Sequence, residues 1–165
     1  MKRLLDCTAS DFEQMTGQGL KKAIIASEGR TILSEVIGAF SPLYPAVTNA
    51  ELAAAFGADL ILLNFFDVMN PSIESLPEAE PAEVITQLKK LIGRPVGLNL
   101  EPVDLEADKL EALQQLPEGR IATDASLKRA KELGFDFVCL TGNPKTGVTN
   151  AEITKAIEKA RAAFG

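Results

Sequence analysis

Acidic and amide side chains lie in or directly after four short apolar runs of this 165-residue sequence. The carboxylates are Glu35, Asp67 and Glu101. The amide and hydroxyl side chains in or after the same runs are Asn64, Asn99, Thr141 and Asn143. If the runs are parallel strands, their carboxyl ends meet at one edge, where βα proteins bind ligands. Carboxylates gathered there could hold Mg²⁺, which takes one or two of them together with waters and substrate oxygens. Such a metal could stabilise an enolate or a phosphoryl oxygen.

The same carboxylates could also act without a metal. One of them could serve as a general base if its neighbours favour its protonated form. The structural alternative is that Glu35 and Glu101 only bond nearby backbone or lysine groups. We predict Glu35, Asp67 and Glu101 as catalytic or metal-binding residues, and Asn64, Asn99 and Thr141 as further ligand contacts.

A polar loop before the last predicted helix is suited to anions. Its two glycines allow backbone conformations that turn N–H groups toward a ligand, and the helix start adds N–H groups and a positive dipole end. The predicted anion-binding residues are Gly142, Asn143, Lys145, Thr146 and Gly147. The Gly-Lys-Ser/Thr order of a Walker loop is missing, so the alternative is a well-capped turn that binds nothing.

A pentapeptide that occurs twice marks two helix starts. Residues 47–51 and 148–152 both read Val-Thr-Asn-Ala-Glu. Thr48 with Glu51, and Thr149 with Glu152, have the spacing of a capping box, in which the two side chains satisfy each other's backbone N–H groups. The chain therefore twice places a helix after a strand and a polar loop.

The apolar runs predict four strands at 31–37, 59–66, 95–100 and 135–141. Nearly continuous apolar runs of this length are typical of parallel strands buried on both faces. Helical patterns predict helices at 10–15, 20–27, 49–56, 81–92, 105–116, 124–133 and 149–164. Gly57, Gly93 and Gly134 are expected to end three of them.

This order predicts a single α/β domain over residues 1–165, with a helical segment at 1–30 and four parallel βα units at 31–165. An open doubly wound sheet and half of a (βα)8 TIM-type barrel both fit four such units. We favour the half barrel, because no run apart from the short third one is clearly polar like an edge strand, and because a full barrel needs about 250 residues. A half barrel has two open edges, which predicts a homodimer formed through them or a longer chain.

Composition excludes several classes of function. The chain has 17 Lys and Arg against 23 Asp and Glu, a net charge of −6, which argues against nucleic acid and anionic membrane surfaces. It contains no His, so Ser-His-Asp triads and Cys-His catalytic pairs are excluded. Its two cysteines cannot form a usual zinc cluster. No stretch reaches a membrane-spanning length, and a cytoplasmic location is expected.

Three segments resemble a family of uncharacterised bacterial proteins: residues 3–12, 48–59 and 140–150. Members are labelled phosphoenolpyruvate phosphonomutase-like or haloacid-dehalogenase-like hydrolases. The resemblance implies a barrel, a divalent metal and a longer protein whose N-terminal half this chain matches. The Asp-x-Asp pair of the dehalogenases does not occur here.

Three functions remain open from the sequence. The first is a partial TIM-barrel enzyme, a lyase, mutase or hydrolase acting on a small phosphorylated or carboxylated metabolite with Mg²⁺; the chain alone would then be inactive. The second is a self-associating half barrel without catalysis. The third is a domain that binds a small molecule and catalyses no reaction.

Overall fold

Helices and strands alternate along the chain after two leading helices. The structure, a computed structural model, describes residues 2–104, 116–143 and 146–164. In these residues the elements are α1 (Ala9–Glu13), α2 (Gly17–Ala26), β1 (Leu33–Ile37), α3 (Asn49–Ala55), β2 (Leu60–Asn64), α4 (Val84–Ile92), β3 (Val96–Leu100), α5 (Asp124–Leu133), β4 (Phe137–Leu140) and α6 (Asn150–Phe164). Short 3₁₀ turns lie at Leu4–Asp6 and Glu118–Arg120. None of these helices is long and apolar enough to cross a membrane.

The four predicted strands are confirmed, and so are most of the helices. The predicted helix at 81–92 begins only at Val84, because residues 81–83 form turns. Gly93 and Gly134 end α4 and α5 in the left-handed conformation, with φ of 60° and 93°, as glycine at this position favours. The predicted helix at 105–116 lies outside the described residues, apart from its last position.

The two copies of the repeated pentapeptide start α3 and α6. At α3 Thr48 Oγ1 accepts from the Glu51 N–H at 3.1 Å, and Glu51 Oε2 accepts from the Thr48 N–H at 2.9 Å. At α6 Thr149 Oγ1 accepts from the Glu152 N–H at 3.4 Å, and the Glu152 carboxylate contacts Lys155 Nζ at 2.8 Å. Both predicted helix starts are therefore present, with shorter capping bonds in the first copy.

The four strands form one parallel sheet in the order β1-β2-β3-β4. Each strand lies next to its neighbour in sequence, and the order contains no reversal of direction such as a doubly wound sheet has. The register sets Val36, Leu63, Leu98 and Val138 side by side across the sheet. The protein is thus an α/β fold, and the closer description as half of a barrel stays a prediction.

The two faces of the sheet are covered differently. One face packs against the helices that follow the strands, in a core that includes Ile61 and Leu98 from the sheet together with Leu88 of α4, Leu127 of α5 and Ala156 of α6. On the opposite face a second cluster joins the N-terminal helices to the lower part of the sheet; it contains Leu4, Phe12, Leu20, Ala23, Leu60 and Phe137. The upper part of this face, toward the strand carboxyl ends, carries the polar residues described below.

Side chains from alternate strands meet on this second face. The Phe137 ring of β4 lies over Gly97 of β3, where an added Cβ would come within 2.1 Å of a ring carbon. The ring thereby belongs to the same cluster as Leu60 of β2, one strand further on. Contact between alternate strands is how the inward side chains of a parallel barrel fill its interior.

Candidate ligand-binding site at the carboxyl ends of the strands

A polar row crosses the sheet at its carboxyl end. Asn99 of β3 donates from Nδ2 to Glu35 Oε1 of β1 at 3.3 Å, and its Oδ1 accepts a hydrogen bond from the Thr141 hydroxyl after β4. The Glu35–Asn99 bond passes over β2, which lies between the two strands. One amide therefore orients a carboxylate and a hydroxyl that come from opposite edges of the sheet. We call Glu35, Asn99 and Thr141 the polar row.

The polar row is open to solvent. Glu35 is exposed, while Asn99 and Thr141 are half-buried. Glu35 accepts the hydrogen bond from Asn99 with Oε1, so Oε2 of its carboxylate takes no part in that bond. A carboxylate fixed in this way can accept a hydrogen bond or a proton from a ligand.

Glu101 is buried next to the row rather than exposed at its end. Only 9% of the residue is accessible. Its Oε2 accepts a hydrogen bond from the Thr146 hydroxyl at 2.5 Å, and its Oε1 lies 3.8 Å from Arg120 Nη2. A buried carboxylate needs such partners, so Glu101 is tied to the loop before α6 and to the 3₁₀ turn before α5.

Arg120 is a residue of this site that the sequence analysis missed. Its guanidinium carbon lies 4.2 Å from the centre of the Phe65 ring, and 14% of its side chain is exposed. Both Glu101 and Phe65 are far from it in sequence, and an arginine in a Pro-Glu-Gly-Arg turn carries no spacing signal of its own. The sequence therefore carried no signal for either contact.

Phe65 leaves β2 in an unusual backbone conformation. Its φ is +56°, in the left-handed region that glycine favours. Asn64 Oδ1 accepts from the Phe65 N–H at 2.8 Å and supports this turn. The residue is 42% exposed, and its ring lies 6.2 Å from the ring of Phe40, centre to centre. Backbone strain of this kind often lies at functional positions, and ligand contact by Asn64 stays a prediction.

Asp67 closes its own turn. Its Oδ1 accepts from the Met69 N–H at 2.8 Å, and its Oδ2 accepts from Asn70 Nδ2 at 3.2 Å. The same carboxylate touches Gly119, whose carbonyl accepts from the Val68 N–H at 3.3 Å. Asp67 thus joins the loop after β2 to the turn that carries Arg120.

The predicted anion loop is only partly described. Lys145 lies outside the described residues. Thr146 is buried, its hydroxyl contacts Glu101, and its N–H donates to the Asn143 carbonyl at 3.1 Å. Gly147 has a φ of 80°, while Gly142 is packed near Ile153, 3.2 Å from where a Cβ would stand. Anion binding by this loop stays a prediction.

The three predicted carboxylates do not form one metal cluster. The described residues contain no group of three or more acidic, cysteine or histidine side chains that could hold a metal ion. Glu35 is bonded to Asn99, Asp67 to its own turn, and Glu101 to Thr146. A Mg²⁺ site built from all three does not fit this arrangement, and magnesium held by fewer protein ligands stays a prediction.

A tight ion pair lies in the N-terminal helical segment, outside this site. Asp11 Oδ2 is 2.6 Å from Lys2 Nζ and accepts from the Thr8 N–H at 2.7 Å. The hydrogen bond from Lys2 lowers the pKa of Asp11 well below its ordinary value, and the same bond raises the pKa of Lys2. Burial raises the pKa of the Cys7 thiol.

The chain belongs to the family described as "Domain of unknown function (DUF7916)", whose model matches residues 5–165. The match spans the sheet, its connecting helices and every residue of the candidate site. No curated protein matches the chain.

Proposed function

We propose that this chain carries the small-molecule site of a barrel-type enzyme that acts on a small phosphorylated or carboxylated metabolite. The observation that carries the proposal is the polar row, in which Glu35, Asn99 and Thr141 from three strands meet through one amide. Parallel βα folds bind ligands at the carboxyl ends of their strands, and the row lies there, half-exposed, on the face that α3–α6 leave open.

In this proposal each member of the row has a distinct role. Asn99 positions its two neighbours, since its amide can only donate at Nδ2 and accept at Oδ1. Glu35 uses Oε2, the oxygen that is not bonded to Asn99, either to accept a hydrogen bond from a ligand hydroxyl or to remove a proton from the ligand. Thr141 offers its hydroxyl oxygen as an acceptor, because its proton is directed at Asn99. The row by itself favours a ligand with hydroxyl or activated C–H groups.

The test is binding of three probes, inorganic phosphate, glycolate and phosphoglycolate, measured by calorimetry on the folded chain. We expect at least one probe to bind, and Asn99→Leu to abolish that binding because the row loses its bridge. Gln87→Leu makes the same amide-to-apolar change on α4, away from the row, and should leave binding intact. Equal affinities in both variants, or no binding of any probe, would contradict the proposal.

A second proposed role, compatible with the first, is self-association of two half barrels. The observation that favours it is contact between alternate strands, both in the cluster that Phe137 of β4 shares with Leu60 of β2 and where Asn99 of β3 reaches Glu35 of β1. The edge strands β1 and β4 are partly exposed. An apolar groove on the same face, between α2 and the sheet, is lined by Ile24, Ile25, Leu33, Leu60 and Phe137. A two-fold axis would pair β1 of each copy with β4 of the other and leave no open edge.

Sedimentation velocity tests this association. We expect a dimer that dissociates on dilution, and a monomer when Leu33→Arg places a charge on the exposed inner side of β1. Leu91→Arg is the matched control, because Leu91 is 42% exposed on α4, the helix that connects the two central strands. A monomer at all concentrations, or a dimer unaffected by Leu33→Arg, would count against this role.

A further inference from the structure

Arg120 lies at the same end of the sheet as the polar row, because its partner Glu101 follows Asn99 by two residues. Side chains two residues apart on a strand point to the same face, about 7 Å apart. Asn99 and Glu101 have this relationship, and Glu101 is the acidic partner of Arg120. A ligand a few atoms long can therefore touch the row with one end and the guanidinium with the other.

Two side-chain contacts with described residues hold the Arg120 guanidinium flat, and neither of these two is a hydrogen bond. The Phe65 ring covers one face of the guanidinium at 4.2 Å, an arrangement that planar arginine side chains favour. The distance from Nη2 to Glu101 Oε1 is 3.8 Å, longer than a hydrogen bond. This ion pair is thus held by charge, and it does not consume the N–H groups at the rim of the guanidinium.

The charges around Arg120 select among anions. Glu101 pairs with its single positive charge, Asp67 touches the preceding residue, Gly119, and Glu35 adds a further negative charge in the polar row that the same ligand would reach. A phosphate dianion would add two further negative charges to these. A monocarboxylate adds one, and its two oxygens match the paired N–H groups of a guanidinium.

We propose that Arg120, held flat by Phe65, binds the carboxylate of a small 2-hydroxycarboxylate whose hydroxyl contacts the polar row. This inference rests on the proposed function and narrows its ligand class, since it prefers a carboxylate to a phosphate. Phe65 is then a positioning residue, and the strain at its backbone places its ring under the guanidinium.

The experiment is an NMR titration of the ¹⁵N-labelled chain with glycolate and, separately, with inorganic phosphate. The signals followed are the Arg120 Nε–H group and the Asn99 side-chain amide. We expect glycolate to shift both signals in a saturable way, with an affinity about tenfold higher than that of phosphate. Arg120→Lys keeps the charge but loses the paired N–H groups, so glycolate affinity should fall about tenfold.

Arg129→Lys, at a partly exposed position of α5 where the arginine pairs with Glu132, is the matched control and should leave the affinity for glycolate unchanged. If Arg120→Lys fails to fold, Phe65→Leu tests the same pair, because it removes the ring that holds the guanidinium flat and should weaken glycolate binding several-fold although Arg120 itself is unchanged. Shifts at Asn99 without shifts at Arg120 would overturn this inference and leave the proposed function standing. Tighter binding of phosphate at Arg120, or no glycolate shift at either residue, would also overturn it.

Discussion

Asp67 Oδ1 lies against the α-carbon of Gly119, in the place where any other residue would carry its Cβ. That Cβ would stand 1.8 Å from the carboxylate oxygen and 2.8 Å from the backbone nitrogens of Val68 and Met69. Gly119 directly precedes Arg120, so this close approach sets where the guanidinium lies relative to the loop after β2. Gly119 therefore helps to position Arg120 in the site.

Gly119→Ala should destabilise the fold by about 1–3 kcal/mol, the usual cost of forcing extra atoms into a packed region. Two of the three clashing atoms are backbone nitrogens, so Asp67→Ala in the same chain should not restore stability. Urea unfolding measures both effects. The control is Gly38→Ala, whose added Cβ would meet its nearest neighbour, Ile73, at an ordinary 3.6 Å. Equal stabilities of the two alanine variants would refute this account of Gly119.

Gly97→Ala should behave differently, because the atoms it meets belong to the Phe137 ring and not to the backbone. We expect a loss of about 1–3 kcal/mol in the wild-type background. In a Phe137→Leu background the added methyl group has room, and its cost should shrink markedly. A double-mutant cycle from urea unfolding isolates this coupling. Additive losses would mean that the ring does not lie over Gly97.

The two helix caps of the repeated pentapeptide offer a comparison within one chain. Thr48→Val removes a buried cap with a 3.1 Å bond and should cost about 1–2 kcal/mol. Thr149→Val removes an exposed cap with a 3.4 Å bond and should cost about 0.5 kcal/mol. Thermal unfolding of the two variants measures the difference. A larger loss at Thr149 would contradict the geometry described for α3 and α6.

The Lys2–Asp11 pair should make stability depend on pH in a defined direction. The pKa of Asp11 is lower in the folded chain than in the unfolded chain, mainly through the hydrogen bond from Lys2. Its charge therefore stabilises the fold above the unfolded pKa, and this contribution is lost as the pH falls through the folded pKa.

Asp11→Asn keeps the oxygen that caps Thr8 but removes the charge. The melting temperature of this variant should lie below that of the wild type from pH 5 to 8, and the gap should narrow below about pH 4. Glu13→Gln, on the exposed end of the same helix, is the control for removing one negative charge. A gap that is constant down to pH 2, or that widens in acid, would contradict the assignment.

The strands and most helix boundaries could be predicted from the sequence because local signals specify them. The run at 59–66 is apolar on both sides of the chain, as a strand between two layers requires, and β2 is buried through Leu63. Gly134 follows the last apolar position of α5 and ends that helix. The late start of α4 escaped prediction, since Pro81 suits the first turn of a helix as well as the turns that it forms.

The sequence could predict only those site residues that lie in a strand or directly after it, at the carboxyl end. Glu35, Asn99 and Thr141 were predicted at the carboxyl edge, and the structure brings them together. Asp67 lies three residues past the end of β2, where a carboxylate can turn back onto its own backbone, and it does so at Met69. Arg120 escaped prediction because its contacts with Phe65 and Glu101 depend on how distant loops meet.

The most direct test of the polar row is the NMR signal of the Asn99 side-chain amide while the probe that binds in calorimetry, out of inorganic phosphate, glycolate and phosphoglycolate, is added to the full chain. The account predicts that this signal shifts and saturates, with the same dissociation constant that calorimetry gives, because the amide bridges the two groups that meet the ligand. Binding detected by calorimetry with no change at the Asn99 amide would contradict it.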